Sequence, residues 1–305
     1  MWPRSRSSAI ILKSRIGIAL GGGGAKGLAH IGVLIALEEM GIKFDAVVGT
    51  SIGAIIGGLF ALEGSAQNLK EKAKEIITSK DFLSLGLNAF RKDGTIFHKL
   101  AEKFYMGKLL FKEAQIDVAK TERIFRDLFK DATFEQTKIP FATVALDLAT
   151  GDDFVFDHGP LMIGTWASAA IPGIFPPVVY DEKILIDGGV TTDLPVRICR
   201  RYGVDVVIGV YLGGSILRKE EYKTGFQILK RSAEILNYRV NEPNLIDADV
   251  LIHPHLEQIH WADFSRIDEC VEEGKHAVLR RQKEIREALS LRNRIKRLFR
   301  FLKHP

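Results

Sequence analysis

Two glycine-rich junctions, one after each of the first two apolar strands, constrain this chain more than any other feature. Ile16–Leu20 is an apolar run with no polar member, the pattern of a strand buried on both faces of a parallel sheet. Four glycines follow at once. The apolar positions Ile31, Leu34, Ile35 and Leu37 then recur at helical spacing up to Gly41, which is placed as a helix C-terminal glycine. A second strand is expected at 46–48 and runs into Gly49-Thr50-Ser51-Ile52-Gly53, after which Ile55, Ile56, Leu59 and Phe60 mark a second apolar helix. Strand, loop, helix, strand, turn, helix is the opening of a doubly wound α/β layer.

Beyond residue 63 the pattern changes. Lys and Glu are frequent across 63–140, and Ile124/Leu128 and Phe125/Phe129 pair at i, i+4, so helices lying over the sheet as a cap are expected, with few residues of chemical interest. Strands resume at 141–146, 184–186 and 206–210. Residues 170–177 contain Pro172, Pro176 and Pro177, which impose a rigid irregular loop. From 222 to 290 the pattern is mainly helical around one short apolar run at 250–253. No internal repeat or low-complexity linker interrupts the chain. At 305 residues, with 46 % apolar and 27 % charged side chains, it can bury a core and reads as neither disordered nor polytopic.

The formal charge of +5 resides at the two ends. Residues 1–15 carry four basic side chains and residues 291–305 carry six, with no acid in either, which leaves the body at −5. That distribution argues against a nucleic-acid groove across the core and for basic ends meeting an anionic surface, of which lipid headgroups are one. In the tail, Leu291, Ile295, Leu298, Phe299, Phe301 and Leu302 interleave with the basic residues as in a cationic amphipath suited to a membrane interface. A frayed, solvated basic end accounts for the same residues equally well. Two cysteines, Cys199 and Cys270, are too few for a disulfide scaffold or a four-ligand zinc site, so a reducing compartment is the default. The apolar run at 9–12 is too short for a signal-peptide core, and the longest uncharged stretch, 46–62, falls short of the roughly 20 residues that span a bilayer. The expectation is a cytoplasmic protein, at most peripheral on the inner face of the membrane.

The chemistry concentrates at three places. Gly49-Thr50-Ser51-Ile52-Gly53 between a strand and a helix is the G-x-S-x-G nucleophile elbow: the Ser sits on a strained turn, and side chains two residues before and after it would strike the neighbouring helix and strand. The helix N-terminus favours negative charge near Ser51. A tight turn with a buried Ser is the plainer alternative. Gly21-Gly22-Gly23-Gly24-Ala25-Lys26-Gly27 also opens a helix, so its amides can converge on an anion. Gly22, Gly24 and Gly27 match G-x-G-x-x-G, but Asp45 precedes the second strand where a dinucleotide site wants an acid at its end, and Lys26 lacks the following Ser or Thr of a phosphate loop. An oxyanion hole beside a serine nucleophile uses both glycine motifs.

A serine needs a base. Chain order nominates His253, His255 or His260, as in ordinary α/β hydrolases, yet none sits in a convincing glycine or strand-end context. Ile186-Asp187-Gly188-Gly189 instead puts a carboxylate at the end of an apolar strand, where active residues of open α/β sheets gather. An Asp is a poor base at its free pKa of about 3.9, so burial must raise it or proton transfer must be coupled to attack. A β-turn Asp is the structural alternative.

These elements in this order, with Ala167-Ser168-Ala169-Ala170-Ile171-Pro172-Gly173-Ile174-Phe175-Pro176-Pro177 just before the last, resemble the patatin-like phospholipase family, particularly its bacterial members. The likeness covers residues 16–211 well and loosens towards 290. It implies a three-layer α/β/α fold with a mainly parallel central sheet and a Ser-Asp dyad in place of a catalytic histidine. Carried over by motif, Ser51 is the nucleophile and Asp187 its proton acceptor; Gly22, Gly23 and Gly24 form the oxyanion hole, and Lys26 takes the basic position of that loop. Gly27, Gly49, Gly53, Gly188 and Gly189 support these motifs, with Gly189 standing where many members have Ala.

The resulting expectation is a lipid acyl hydrolase of the phospholipase A or lysophospholipase type, acting on a phospholipid or lysophospholipid through an acyl-enzyme, with no metal or cofactor required and no nucleic-acid partner. Its layout would be a basic extension (1–15), a catalytic core (16–212) with a helical insertion (63–140), a C-terminal part of the same domain (213–290) and a basic amphipathic tail (291–305). The alternatives are a membrane-associated regulatory or lipid-binding protein with little hydrolytic activity, motivated by the basic ends, and a nucleotide-binding oxidoreductase, resting on Gly22, Gly24 and Gly27 alone.

Overall fold

The computed structural model describes residues 14–87, 114, 116–214, 221–222 and 224–290. Most of the basic extension, all of the basic tail and residues 88–113 of the expected cap lie outside the described residues.

Eight strands form one sheet: β1 (Ile16–Leu20), β2 (Ala46–Thr50), β3 (Phe141–Asp147), β4 (Asp153–Phe156), β5 (Val178–Tyr180), β6 (Lys183–Asp187), β7 (Val206–Val210) and β8 (Val250–Ile252). Their order is β5-β6-β3-β2-β1-β7-β8, with β4 pairing β3 off this path. The run from β8 to β3 is parallel, whereas β4 and β6 pair antiparallel with β3, and β5 with β6. The two short strands β4 and β5 are absent from the sequence-based expectation. Each is only partly buried, so neither carries the continuous apolar run that marks the central strands.

The central strands are buried on both faces, and their side chains sort by the two-residue period of the pleat. On β1, Ile16, Ile18 and Leu20 enter the larger core, which includes apolar residues of α1 (Ala29–Glu39), α2 (Ile52–Glu63) and α9 (Ile267–Arg280). Ala19 turns to the other face, where Val196, Ile198 and Cys199 of α7 (Val196–Arg200) pack. The same division places Val47, Phe141 and Ile208 in the first core and Val48, Ala142 and Val207 in the second. Helices on both faces of a mostly parallel sheet make the three-layer α/β/α arrangement that the sequence led us to expect.

Over the larger core lie α3 (Leu69–Thr78) and α5 (Val118–Phe129), followed in the chain by α6 (Leu161–Ser168), while α4 (Lys80–Ser84) packs Phe82 against a small separate cluster of Leu85, Leu87, Ile116 and Ile124. The remaining helices are α8 (Gly225–Asp247) and α10 (Gln282–Leu289). Helices α1 and α9 touch backbone to backbone: a Cβ on Gly32 would lie 1.8 Å from Val271 O, and one on Gly274 2.1 Å from Ala29 O. This contact sets α9 against the glycine-rich turn that precedes α1, where Cys270 Sγ reaches Ala25 O at 3.7 Å.

Strand β3 positions the site. Its Val144 is the register partner of Thr50, the last residue of β2, and its next residue, Ala145, is the partner of Asp187, the last residue of β6. Two segments 136 residues apart in sequence are thereby brought to consecutive residues of one strand.

Candidate active site

Ser51 follows β2 and caps α2 with φ 56° and ψ −125°, a left-handed conformation that costs a residue bearing a side chain about 1–3 kcal/mol. Its flanking glycines are sterically required. A Cβ on Gly49 would lie 2.3 Å from Gly53 O at the start of α2, and one on Gly53 would lie 2.1 Å from Leu20 O at the end of β1. The Ser51 N–H is shared between Ser168 O (3.1 Å) and Ser168 Oγ (3.0 Å), and the Ser168 hydroxyl donates to Val144 O at 2.6 Å. The Thr50 hydroxyl donates to Thr192 O at 2.9 Å, tying the elbow to the segment beyond Asp187.

The Ser51 hydroxyl donates to Asp187 Oδ2 at 2.6 Å. The other carboxylate oxygen, Oδ1, accepts the Gly189 N–H at 2.7 Å, which fixes the orientation of the group. Burial is the main cause that pushes the Asp187 carboxyl up to about 7; the Ser51 and Gly189 bonds oppose it and the Asp193 charge adds to it. A carboxyl so raised exchanges its proton near neutral pH. Gly188 lets the turn approach β3, since a Cβ there would lie 2.3 Å from Val144 O. A Cβ on Gly189 would meet Asp187 Oδ1 at 3.0 Å, so the glycine that departs from the family's common alanine stands in a tight spot.

The glycine loop lies beside this pair, but its three amides are not equivalent. Gly22 N–H donates to Asp193 O at 3.1 Å, and its neighbour Gly21 N–H to Val210 O at 3.0 Å. Among the described residues no acceptor is bonded to the Gly23 or Gly24 amide, and both residues line the groove beside Ser51. Of the three amides expected as oxyanion donors, those of Gly23 and Gly24 are thus left without an internal acceptor, whereas that of Gly22 holds the loop in place. Gly24 has φ +58° and no room for a Cβ, which would lie 2.4 Å from Trp261 O; at Gly27 the obstacle is the Ile52 side chain. Fully buried His30 anchors the loop from behind, with Nε2 2.8 Å from Gly21 O. Lys26 lines neither cavity at Ser51; its half-buried amine responds to Glu257 and Cys270, and desolvation lowers its pKa. The motif places it beside the loop, and the fold turns its side chain away.

Ser51 stands where two cavities meet, with Gly24, Ile171 and Trp261 lining both. One cavity, of about 110 Å³, runs between α2 and helices α3 to α5; apart from Ser51 and Thr121 its side chains are aliphatic or aromatic. The region expected to hold little of chemical interest thus forms the wall of this cavity through Ile76, Phe82, Ile124 and Phe125. The other, a more open groove of about 550 Å³, passes Asp187 and Asp193 and is bounded by Leu236, Asn237 and Val240 of α8. No histidine is among the described residues lining either; His253 faces Gly213 O and His260 accepts from the Ala262 N–H. Ser168, Asp193 and Asn237 carry no role in the sequence reading. Ser168 alone had a signal there, as a member of the Ala167-Ser168-Ala169-Ala170 run.

The profile of the patatin-like phospholipase family matches residues 18–200. An uncharacterized NTE family protein of Mycobacterium tuberculosis is 34 % identical over 201 residues, covering 66 % of this chain and 50 % of that protein. Human patatin-like phospholipase domain-containing protein 6 is 32 % identical over 211 residues, covering 68 % of this chain and 14 % of that one. The chain thus spans at most about half the length of these relatives. Among solved structures, human GIVD cytosolic phospholipase A2 shares the fold with a TM-score of 0.50 at 11 % identity, over 93 % of this chain and 60 % of that one. On the match to its sequence, the chain belongs to the patatin-like phospholipase family.

Proposed function

We propose that this chain is a serine lipid acyl hydrolase, of the phospholipase A or lysophospholipase type, working through Ser51 and Asp187. The contact between Ser51 Oγ and Asp187 Oδ2 at the mouth of an apolar cavity carries this reading. In the reaction, Ser51 Oγ attacks the ester carbonyl carbon while its proton passes to Asp187 Oδ2. The Gly23 and Gly24 amides receive the oxyanion, each fixed donor contributing about 3 kcal/mol in the transition state. Collapse breaks the ester C–O bond, and the departing alcohol takes the proton from Asp187. Water then attacks the acyl-enzyme, gives a proton to Asp187, and the fatty acid leaves as Ser51 regains its proton.

The apolar cavity suits the acyl chain, since each methylene removed from water contributes about 0.8 kcal/mol, and the groove suits the alcohol portion. The substrate class proposed is a phospholipid or lysophospholipid. Among the described residues no helix is long and apolar enough to cross a membrane. The basic ends, on which the expectation of an anionic membrane surface rests, fall outside the described residues. The test is fatty-acid release from phosphatidylcholine and lysophosphatidylcholine, alongside fluorophosphonate labelling, by the wild type and Ser51→Ala. The expected loss is at least about 10⁴-fold in turnover, with no labelling of the variant. Equal turnover by the variant would overturn the assignment of Ser51, and an unlabelled, inactive wild type would favour the regulatory or lipid-binding alternative.

A further inference from the structure

The segment after Asp187 brings a second carboxylate to the same site. Asp193 is half-buried on the wall of the groove that holds Ser51 and Asp187. Its Oδ1 occupies space that a side chain on Gly22 would need, since a Cβ there would lie 2.5 Å from it, and it would just touch a Cβ on Gly189 at 3.4 Å. That same Gly189 position is 3.0 Å from Asp187 Oδ1, so the two carboxylates are neighbours across one glycine.

The main chain of Asp193 is pinned from both sides. Its carbonyl accepts the Gly22 N–H, and its N–H donates to Asn241 Oδ1 at 2.7 Å. Asn241 is fully buried on α8 and its amide donates to Asn237 O, while the Asn237 amide donates to Gly189 O. Asparagines one helical turn apart therefore hold both the Asp187 turn and Asp193. The groups facing the Asp193 carboxylate are the Gly22 amide on the glycine loop, Asp187 on its own segment and Tyr211 after β7, with Tyr238 of α8 beyond. Burial, then the charges of Asp193 and Tyr238, make the Tyr211 hydroxyl hold its proton more tightly. Burial lifts Asp193 itself to about 6, against the pull of the Gly22 amide. A negative charge at this position favours the protonated form of a neighbouring carboxyl.

We propose that Asp193 is a positioning residue for the reaction: wedged between the glycine loop and the Asp187 turn, its carboxylate keeps a negative charge beside Asp187 and strengthens it as the proton acceptor. This rests on reading Ser51 and Asp187 as the catalytic pair. The experiment measures hydrolysis of a soluble nitrophenyl ester and fluorophosphonate labelling from pH 5 to 9, on the 305-residue chain, for wild type, Asp193→Asn, Asp193→Ser and Ser51→Ala.

In the wild type both rates rise with pH as Asp187 loses its proton. In Asp193→Asn and Asp193→Ser the acid limb moves to lower pH by about half a unit or more, and the plateau drops roughly three- to tenfold because the base is weaker. A limb that stays in place, whatever the plateau, overturns the proposal, since a purely structural defect lowers activity without moving the limb. Should neither variant fold, the wild type alone decides: a limb broader than a one-proton titration supports two coupled carboxyls, and a simple one-proton limb refutes them. Ser51→Ala separates the two readings. If it hydrolyses and labels as the wild type does, the dyad fails and Asp193 falls with it; if it is inactive while the limb is unmoved, only the role of Asp193 is lost.

Discussion

The two cavities that meet at Ser51 are built by different means. The apolar one is made of side chains: Ile55 and Ile56 of α2, Ile76 and Ile77 of α3, and Ile124 and Phe125 of α5 form a wall that offers dispersion and dryness and little directional bonding. The groove adds to its apolar side chains a set of polar groups fixed through main chain: the glycine loop, Asp187, and the Gly189 carbonyl and Asp193 N–H held by Asn237 and Asn241. The first can change shape by swapping one aliphatic residue for another. The second is less free, because a Cβ on its glycines would meet Asp193 Oδ1 at Gly22, the Leu212 side chain at Gly23, Trp261 O at Gly24 and Asp187 Oδ1 at Gly189. Chain-length selectivity should therefore be adjustable on one side of Ser51, while the chemistry on the other side tolerates almost no substitution.

The contrast is broken most severely at Asp187. Asp187→Asn keeps the size of the group but removes the proton acceptor, and ester hydrolysis should fall by about 10³-fold or more. Its stability should move the opposite way. The folded carboxyl is raised to about 7 from 3.8, so ionising it costs the fold stability as pH rises through that range. At pH 8 the variant should melt a few degrees above wild type, and at pH 4 the gain should vanish. A variant that melts lower at pH 8 would mean that the carboxylate is not strained by burial.

A smaller effect is expected from the apolar side. Ala73 of α3 is buried on the cavity wall, and Ala73→Leu should reduce the preference for a sixteen-carbon over a four-carbon nitrophenyl ester by roughly tenfold, leaving the short ester nearly untouched. An unchanged ratio would put the acyl chain in the groove instead. The smallest effect belongs to Leu236, exposed on the groove rim: Leu236→Ser should alter turnover of soluble esters by less than about twofold. A large loss there would show the rim to be part of the machinery.

The legible part of this site is the part whose constraints are local. Gly49 and Gly53 flank Ser51 within five residues, and the collision that excludes side chains from them is a property of one turn, so the motif announces itself. Asp187 could be found because it ends an apolar strand. Ser168, Asp193 and Asn241 could not be assigned from type or spacing, since each is held by hydrogen bonds to partners far off in the sequence, from Ser168–Val144 to Asp193–Gly22, and any Ser, Asp or Asn in a loop or helix looks the same in sequence. Lys26 and Gly22 show the converse. Both occupy the motif position, but the charged neighbours of one side chain, Glu257 and Cys270, and the partner of one amide, Asp193, come from segments far away in the chain. The doubly wound α/β opening was readable from the uninterrupted apolar runs and the three layers followed from the family resemblance, whereas β4 and β5, short and half covered, were legible in neither.

The shared seat of Thr50 and Asp187 on adjacent positions of β3 ties turnover to alignment. Slipping either strand by a single step would displace its end by about 3.3 Å and turn its side chains to the wrong layer. A hydroxyl 2.6 Å from its acceptor would then be out of reach. On the proposed Ser51–Asp187 pair, hydrolysis would be a report on the molecule's own assembly: only chains that have docked both segments in step would cleave an ester, and refolding yield could be counted by turnover.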